Sequence, residues 1–96
     1  MNTRRYVVRC TAQGCQDLAE YKIASTWNNG ATEELKTYAL ACASHIEPLF
    51  ARAHEKSSRC RLAEGESLSP PGIFRIEPGR RDKELVRVPE LEAKFA

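Results

Sequence analysis

Between Ala19 and Trp27 the chain alternates: Ala19, Tyr21, Ile23, Ser25 and Trp27 are interleaved with Glu20, Lys22, Ala24 and Thr26. A period of two assigns each set to one face of a strand, so the stretch predicts a half-buried β-strand. Asn28-Asn29-Gly30 follows, and these residue types accept positive φ, so the chain turns there. Leu35 to Cys42 then reads as the returning strand of a β-hairpin with a long tip. Beyond it the period changes. Ile46, Leu49, Phe50, Ala53, Ser57 and Cys60 recur at spacings that line one face of a helix. Arg52, Glu55, Lys56 and Arg59 fall mostly on the opposite face. Two helix starts fit: a capping box of Ser44 with Glu47, or Pro48 as first helical residue, where its missing N–H costs nothing. Either places His45 within a turn of the start. The helix is expected to end near Leu62 to Gly65.

Flanking segments are shorter. Tyr6 to Cys10 reads as a strand entering the tight segment Cys10-Thr11-Ala12-Gln13-Gly14-Cys15. Ser67 to Gly72 reads as a connector, after which Ile73–Ile76 and Leu85–Val88 pair as a second hairpin across residues 77–84. The tail from Pro89 to Ala96 is either a helical turn or disordered. These patterns divide the chain into a domain over residues 1–64 and a β-hairpin appendage with a tail over 65–96. Ile73, Phe74, Ile76, Leu85, Val86 and Val88 need cover, from the same chain or from a partner or second copy; packing within the monomer is the simpler expectation.

Size changes the picture. Ninety-six residues, with one tryptophan, three tyrosines and three phenylalanines, bury a thin core that gains from a metal staple. A net charge of +2, from 15 basic and 13 acidic residues, is far from the basic footprint of a dedicated nucleic-acid binder. The start has no apolar run long enough for a signal peptide, and no window approaches a membrane span. The expectation is a cytoplasmic protein, with no membrane as partner. In a reducing compartment its four cysteines are thiols or metal ligands before they are disulfides.

The cysteines carry the candidate chemistry. Their spacing is Cys-x4-Cys, 26 residues, then Cys-x2-His, formed by Cys10, Cys15, Cys42 and His45. Thiolates and an imidazole suit the tetrahedral shell of zinc. Each close pair grips one ion only where the chain curls. Gly14 permits that before Cys15, and the strand-to-helix junction permits it between Cys42 and His45. The competing readings are unliganded buried cysteines, disulfides among Cys10, Cys15, Cys42 and Cys60 in three connectivities, and a solvated His45. One Zn2+ accounts for both spacings at once. Cys60 lies on the apolar helix stripe and reads as a core cysteine. His54, nine residues past His45, reads as a surface residue.

The order of parts, a close cysteine pair, a hairpin, then a helix whose first turn carries the last ligand, resembles the treble-clef zinc fingers over about residues 6 to 62. The resemblance implies an α+β fold built of a zinc knuckle, a β-hairpin and one main α-helix. It implies Cys10 and Cys15 as knuckle ligands, Cys42 as the ligand at the hairpin's end and His45 as the helix ligand. The knuckle here has four intervening residues where two is usual, and the last ligand is His where Cys is common. Members of this broad group bind nucleic acids, proteins or lipids, so the resemblance speaks to fold rather than task.

Enzymatic chemistry finds little support. His45-Ile46-Glu47 is the H-x-E half of the zinc deaminase signature, but no P-C-x-x-C follows. A Cys42–His45 nucleophile pair would serve only without metal. No phosphate-binding glycine loop is present. The expectation is therefore a non-enzymatic module, held by a structural metal, that binds a protein partner or forms a homodimer. The alternative is a nucleic-acid-binding finger using Arg52, Lys56, Arg59 and Arg61, with Arg4, Arg5, Arg9, Arg80 and Arg81 nearby. Glu47, Glu55 and Glu64 among those cations favour a solvated face.

Overall fold

A computed structural model describes residues 8–76 and 85–95. Strands β1 (Tyr21–Asn28) and β2 (Glu33–Ala41) form the expected antiparallel hairpin. At its tip the Asn28 Oδ1 accepts the Gly30 N–H at 2.6 Å, while Asn29 Oδ1 accepts from Ala31 and Thr32. Gly30, with φ of 92°, occupies the left-handed region that turn needs. The register runs Tyr21↔Ala41 to Ile23↔Ala39, then resumes at Ala24↔Thr37, which leaves Tyr38 as the extra residue of a β-bulge.

Helix α1 spans Ile46–Ser58 and buries Ile46, Phe50 and Ala53 against the hairpin. Its start differs from both readings. His45 is the N-cap without a side-chain cap hydrogen bond, so the Ser44–Glu47 box does not form, and Pro48 is the third helical residue. The end differs too. Arg59 closes the helix with its N–H on the Glu55 and Lys56 carbonyls, short of the expected Leu62 to Gly65. Past Ser58 the apolar stripe is not covered: Leu62 is 41% exposed, so no burial repays further turns. Cys60 consequently leaves the helix and stands half-exposed rather than in the core.

The segment expected as a connector is used for pairing. Strand β3 (Ser67–Leu68) pairs with Trp27 and Asn28 of β1, and Ser69 clasps Thr26 through its carbonyl at 2.9 Å and its amide at 2.8 Å. Strand β4 (Gly72–Arg75) continues along the same side of β1, opposite Tyr21 to Ala24. Strand β5 (Val86–Arg87) pairs with β4, giving the order β2-β1-β4-β5; the tip expected at residues 77–84 lies outside the described residues. The tail forms helix α2 (Pro89–Phe95), whose Leu91 and Phe95 pack against the core.

One core serves all of this. Ile23, Ala39, Ala41, Ile46, Phe50, Ala53 and Ile73 are buried together, with Tyr21, Tyr38, Leu49, Leu91 and Phe95 around them. Glu92 locks α2 to the sheet: its carboxylate accepts the Ile73 N–H at 3.0 Å and two Arg87 donors at 2.6 Å each. The fold is thus α+β, an antiparallel sheet with two helices. No described helix is long and apolar enough to cross a membrane. The strand expected at Tyr6 to Cys10 falls partly outside the described residues; what is described is one bridge, Arg9 to Leu18.

Candidate metal centre

The first donor pair is set by a narrow loop. Cys10 donates its N–H to Asp17 and Ala19 to Val8, each at 3.0 Å, so the two limbs of residues 8–19 run side by side. Arg9 ties the loop by reaching the Gln16 carbonyl at 2.8 Å. At the tip, Cys15 N–H returns to the Ala12 carbonyl at 3.0 Å, with Gly14 at φ 80° as third residue of the turn. A Cβ on Gly14 would meet nothing within 4 Å. Glycine is required there by its backbone conformation, not by space.

The second pair comes from the end of β2. Cys42 follows the last strand residue, and the next three residues turn so that His45 N–H meets the Cys42 carbonyl at 3.2 Å. That turn swings the imidazole back toward the sulfur. His45 Nδ1 lies 3.2 Å from Cys42 Sγ and 3.8 Å from Cys10 Sγ, and Cys15 Sγ lies 3.8 Å from Cys42 Sγ. All four donor atoms fall within 4.8 Å of one another. Donors about 2.3 Å from a common centre at tetrahedral angles stand about 3.8 Å apart, so the cluster has the dimensions of one four-coordinate shell. A disulfide does not fit: the 3.8 Å between Cys15 and Cys42 is far beyond a bond of about 2.05 Å, and all four cysteines are free.

Electrostatics argues the same way. Burial favours the neutral thiol of Cys10, but main-chain hydrogen bonds at Cys42 and Ala12, with side-chain bonds from Cys42 and Cys15, favour its thiolate. The balance lies below the ordinary value of 9.0. At Cys15 a main-chain bond at Asp17 works downward, while burial, the two neighbouring sulfurs and the charge on Cys10 work upward and win. Its pKa is pushed up to about 11. Sulfurs this close ionise together only around a cation.

The four residues singled out in the sequence therefore converge, with Cys10 and Cys42 buried and Cys15 and His45 half-buried. Cys60 stands apart, with Lys36 Nζ 3.5 Å from its sulfur. His54 is exposed, its ring edge-on to Phe50 at 4.6 Å between centroids. Thr11 was not anticipated. Its N–H and hydroxyl both reach the Leu40 carbonyl, at 2.8 and 3.1 Å, and its hydroxyl accepts the Leu40 N–H at 3.3 Å. A threonine between ligands carries no signal of that long-range clasp. No family model, no curated protein and no solved structure matches this chain.

Proposed function

We propose that Cys10, Cys15, Cys42 and His45 hold one zinc ion, and that the ion staples the knuckle to the junction of hairpin and helix as in a treble-clef finger. The observation that carries this reading is the convergence of four soft donors, from two distant segments, within 4.8 Å. Three thiolates and an imidazole complete a four-coordinate shell and leave no open position for a water or substrate, which is the structural rather than the catalytic pattern. Much of the ion's binding free energy then appears as folding free energy.

The protein so built is a non-enzymatic module that binds a protein partner. Exposed apolar residues support this: Leu18 at 56%, Val86 at 55% and Leu62 at 41%. The helix surface argues less for nucleic acid, because exposed Glu55 stands beside Arg52 and Lys56 and exposed Glu47 adds a further negative charge to α1.

Elemental analysis tests the metal. One zinc per chain is expected in the wild type and in Cys60→Ser, with loss in Cys42→Ser and loosening of the fold on chelation, seen by circular dichroism and melting. Iron in place of zinc would revise the ion alone. No stoichiometric metal, or an unchanged melt after complete chelation, would overturn the staple.

A further inference from the structure

Beside the knuckle, a cleft of about 170 Å³ opens between β2 and α1, lined by Thr11, Tyr38, Ala39, Leu49, Arg52, Ala53 and Lys56. Two of these are cations one helical turn apart, both exposed, and neither has a carboxylate partner among the described residues. Like charges at that spacing repel by a few tenths of a kcal/mol, so the pair is not explained by helix stability. Tyr38 is also unexplained by packing alone: its hydroxyl is buried and has no hydrogen-bond partner among the described residues.

The β-bulge connects these facts. In a regular strand Tyr38 and Ala39 would face opposite sides of the sheet. As the extra residue of the bulge, Tyr38 instead joins Ala39 on the side of α1, where it packs against the core and lines the cleft. Bulges recur where a side chain is re-aimed toward a site. The floor is apolar, made by Ala39, Leu49 and Ala53 with the Tyr38 ring beside them; the rim carries Arg52 and Lys56.

We propose that this cleft receives an acidic side chain of the protein partner, a glutamate or aspartate whose methylenes lie on Ala39, Leu49 and Ala53 and whose carboxylate meets Arg52 and Lys56. This rests on the reading of the chain as a protein-binding module and supplies the chemistry of what it binds. A phosphodiester backbone fits less well. It tracks a continuous row of cations, whereas α1 mixes both signs and the cleft is a single enclosed notch.

The test uses the full chain, labelled with 15N, titrated to millimolar concentration with the capped peptide Gly-Glu-Glu-Gly, its Gly-Gln-Gln-Gly counterpart, and a twelve-nucleotide oligo-dT. The glutamate peptide is expected to give saturable shifts at the amides of Tyr38, Ala39, Arg52, Ala53 and Lys56, and the glutamine peptide none. Arg52→Gln with Lys56→Gln is expected to weaken binding about tenfold or more, because charge-assisted hydrogen bonds are lost. Both cations are exposed, so metal content and melting should not change and serve as the control for folding. Absence of saturable shifts, equal binding by the double variant, or tighter oligonucleotide binding through the same residues would overturn the proposal. Failure of the module is read separately: a metal-free wild type would sink the zinc reading, whereas an identified partner bound equally by the double variant would sink only the cleft.

Discussion

Thr11 and Leu40, 29 residues apart in sequence, are joined by three hydrogen bonds: two end on the Leu40 carbonyl, and the third runs from the Leu40 N–H to the Thr11 hydroxyl. Thr11 follows the donor residue Cys10, and Leu40 stands two residues before Cys42. The clasp therefore helps hold the two donor pairs beside one another through protein contacts.

Thr11→Val keeps the backbone bond and the shape but strands the Leu40 N–H. The bond is exposed, so water replaces part of it, and the expected cost is about 0.5–1 kcal/mol of stability, with weaker metal affinity although no donor residue has changed. Chemical denaturation and a chelator competition read the two effects; wild-type values in both would show that the ion alone aligns the site.

Metal affinity should fall in acid. A bound ion requires every thiolate, so binding displaces the proton of any sulfur still protonated. Cys15, pushed up to about 11 in the metal-free site, still carries its proton at neutral pH and must release it on binding. Apparent affinity therefore rises about tenfold per pH unit for each proton released, and is lost progressively as pH falls. Competition titrations at three pH values across neutrality check this, and a flat profile would contradict thiolate ligation.

Glu92 makes a second pH-dependent contact, independent of metal. Burial raises its pKa, but the bonds from Arg87 and from the Ile73 N–H outweigh burial and hold it below the ordinary 4.5. The folded state thus binds fewer protons than the unfolded one. The stabilisation is fully present above pH 4.5 and fades as pH falls through the lowered folded value. Glu92→Ala should cost about 1–3 kcal/mol by orphaning the buried Ile73 N–H, and should flatten that acid limb of the melting curve.

Ser25 sits fully buried at the centre of β1, and its hydroxyl has no partner among the described residues. A buried, unsatisfied hydroxyl opposes folding. Ser25→Ala should leave the melting temperature unchanged or raise it. A clear drop would mean that the hydroxyl is bonded in solution.

The hairpin, α1 and the four converging donors were legible in the sequence because each rests on a local period or a short spacing. The limits of that legibility are physical. The stripe through Ser57 and Cys60 continues the helical period past Ser58, but only the reach of the sheet decides where burial stops. His45 as N-cap overrode the Ser44–Glu47 signal, since the turn that brings its ring to Cys42 leaves the cap position to the histidine. Tyr38 is bulged without a glycine to announce it. Partner choice is the least local property: nothing in Ser67–Leu68 or Gly72–Arg75 says that both pair with β1 rather than with each other.

That shared use of β1 carries a hazard for any shortened copy of the protein. A chain cut before Ser67, by a protease or an early stop codon, would keep the residues of the hairpin and all four donors but lose Ile73, Leu91 and Phe95 from the core. It would lose every backbone partner on one flank of β1, leaving a row of open amides and carbonyls beside uncovered Ile23. Bare strand edges recruit other strands, so such fragments would gather edge to edge into insoluble deposits.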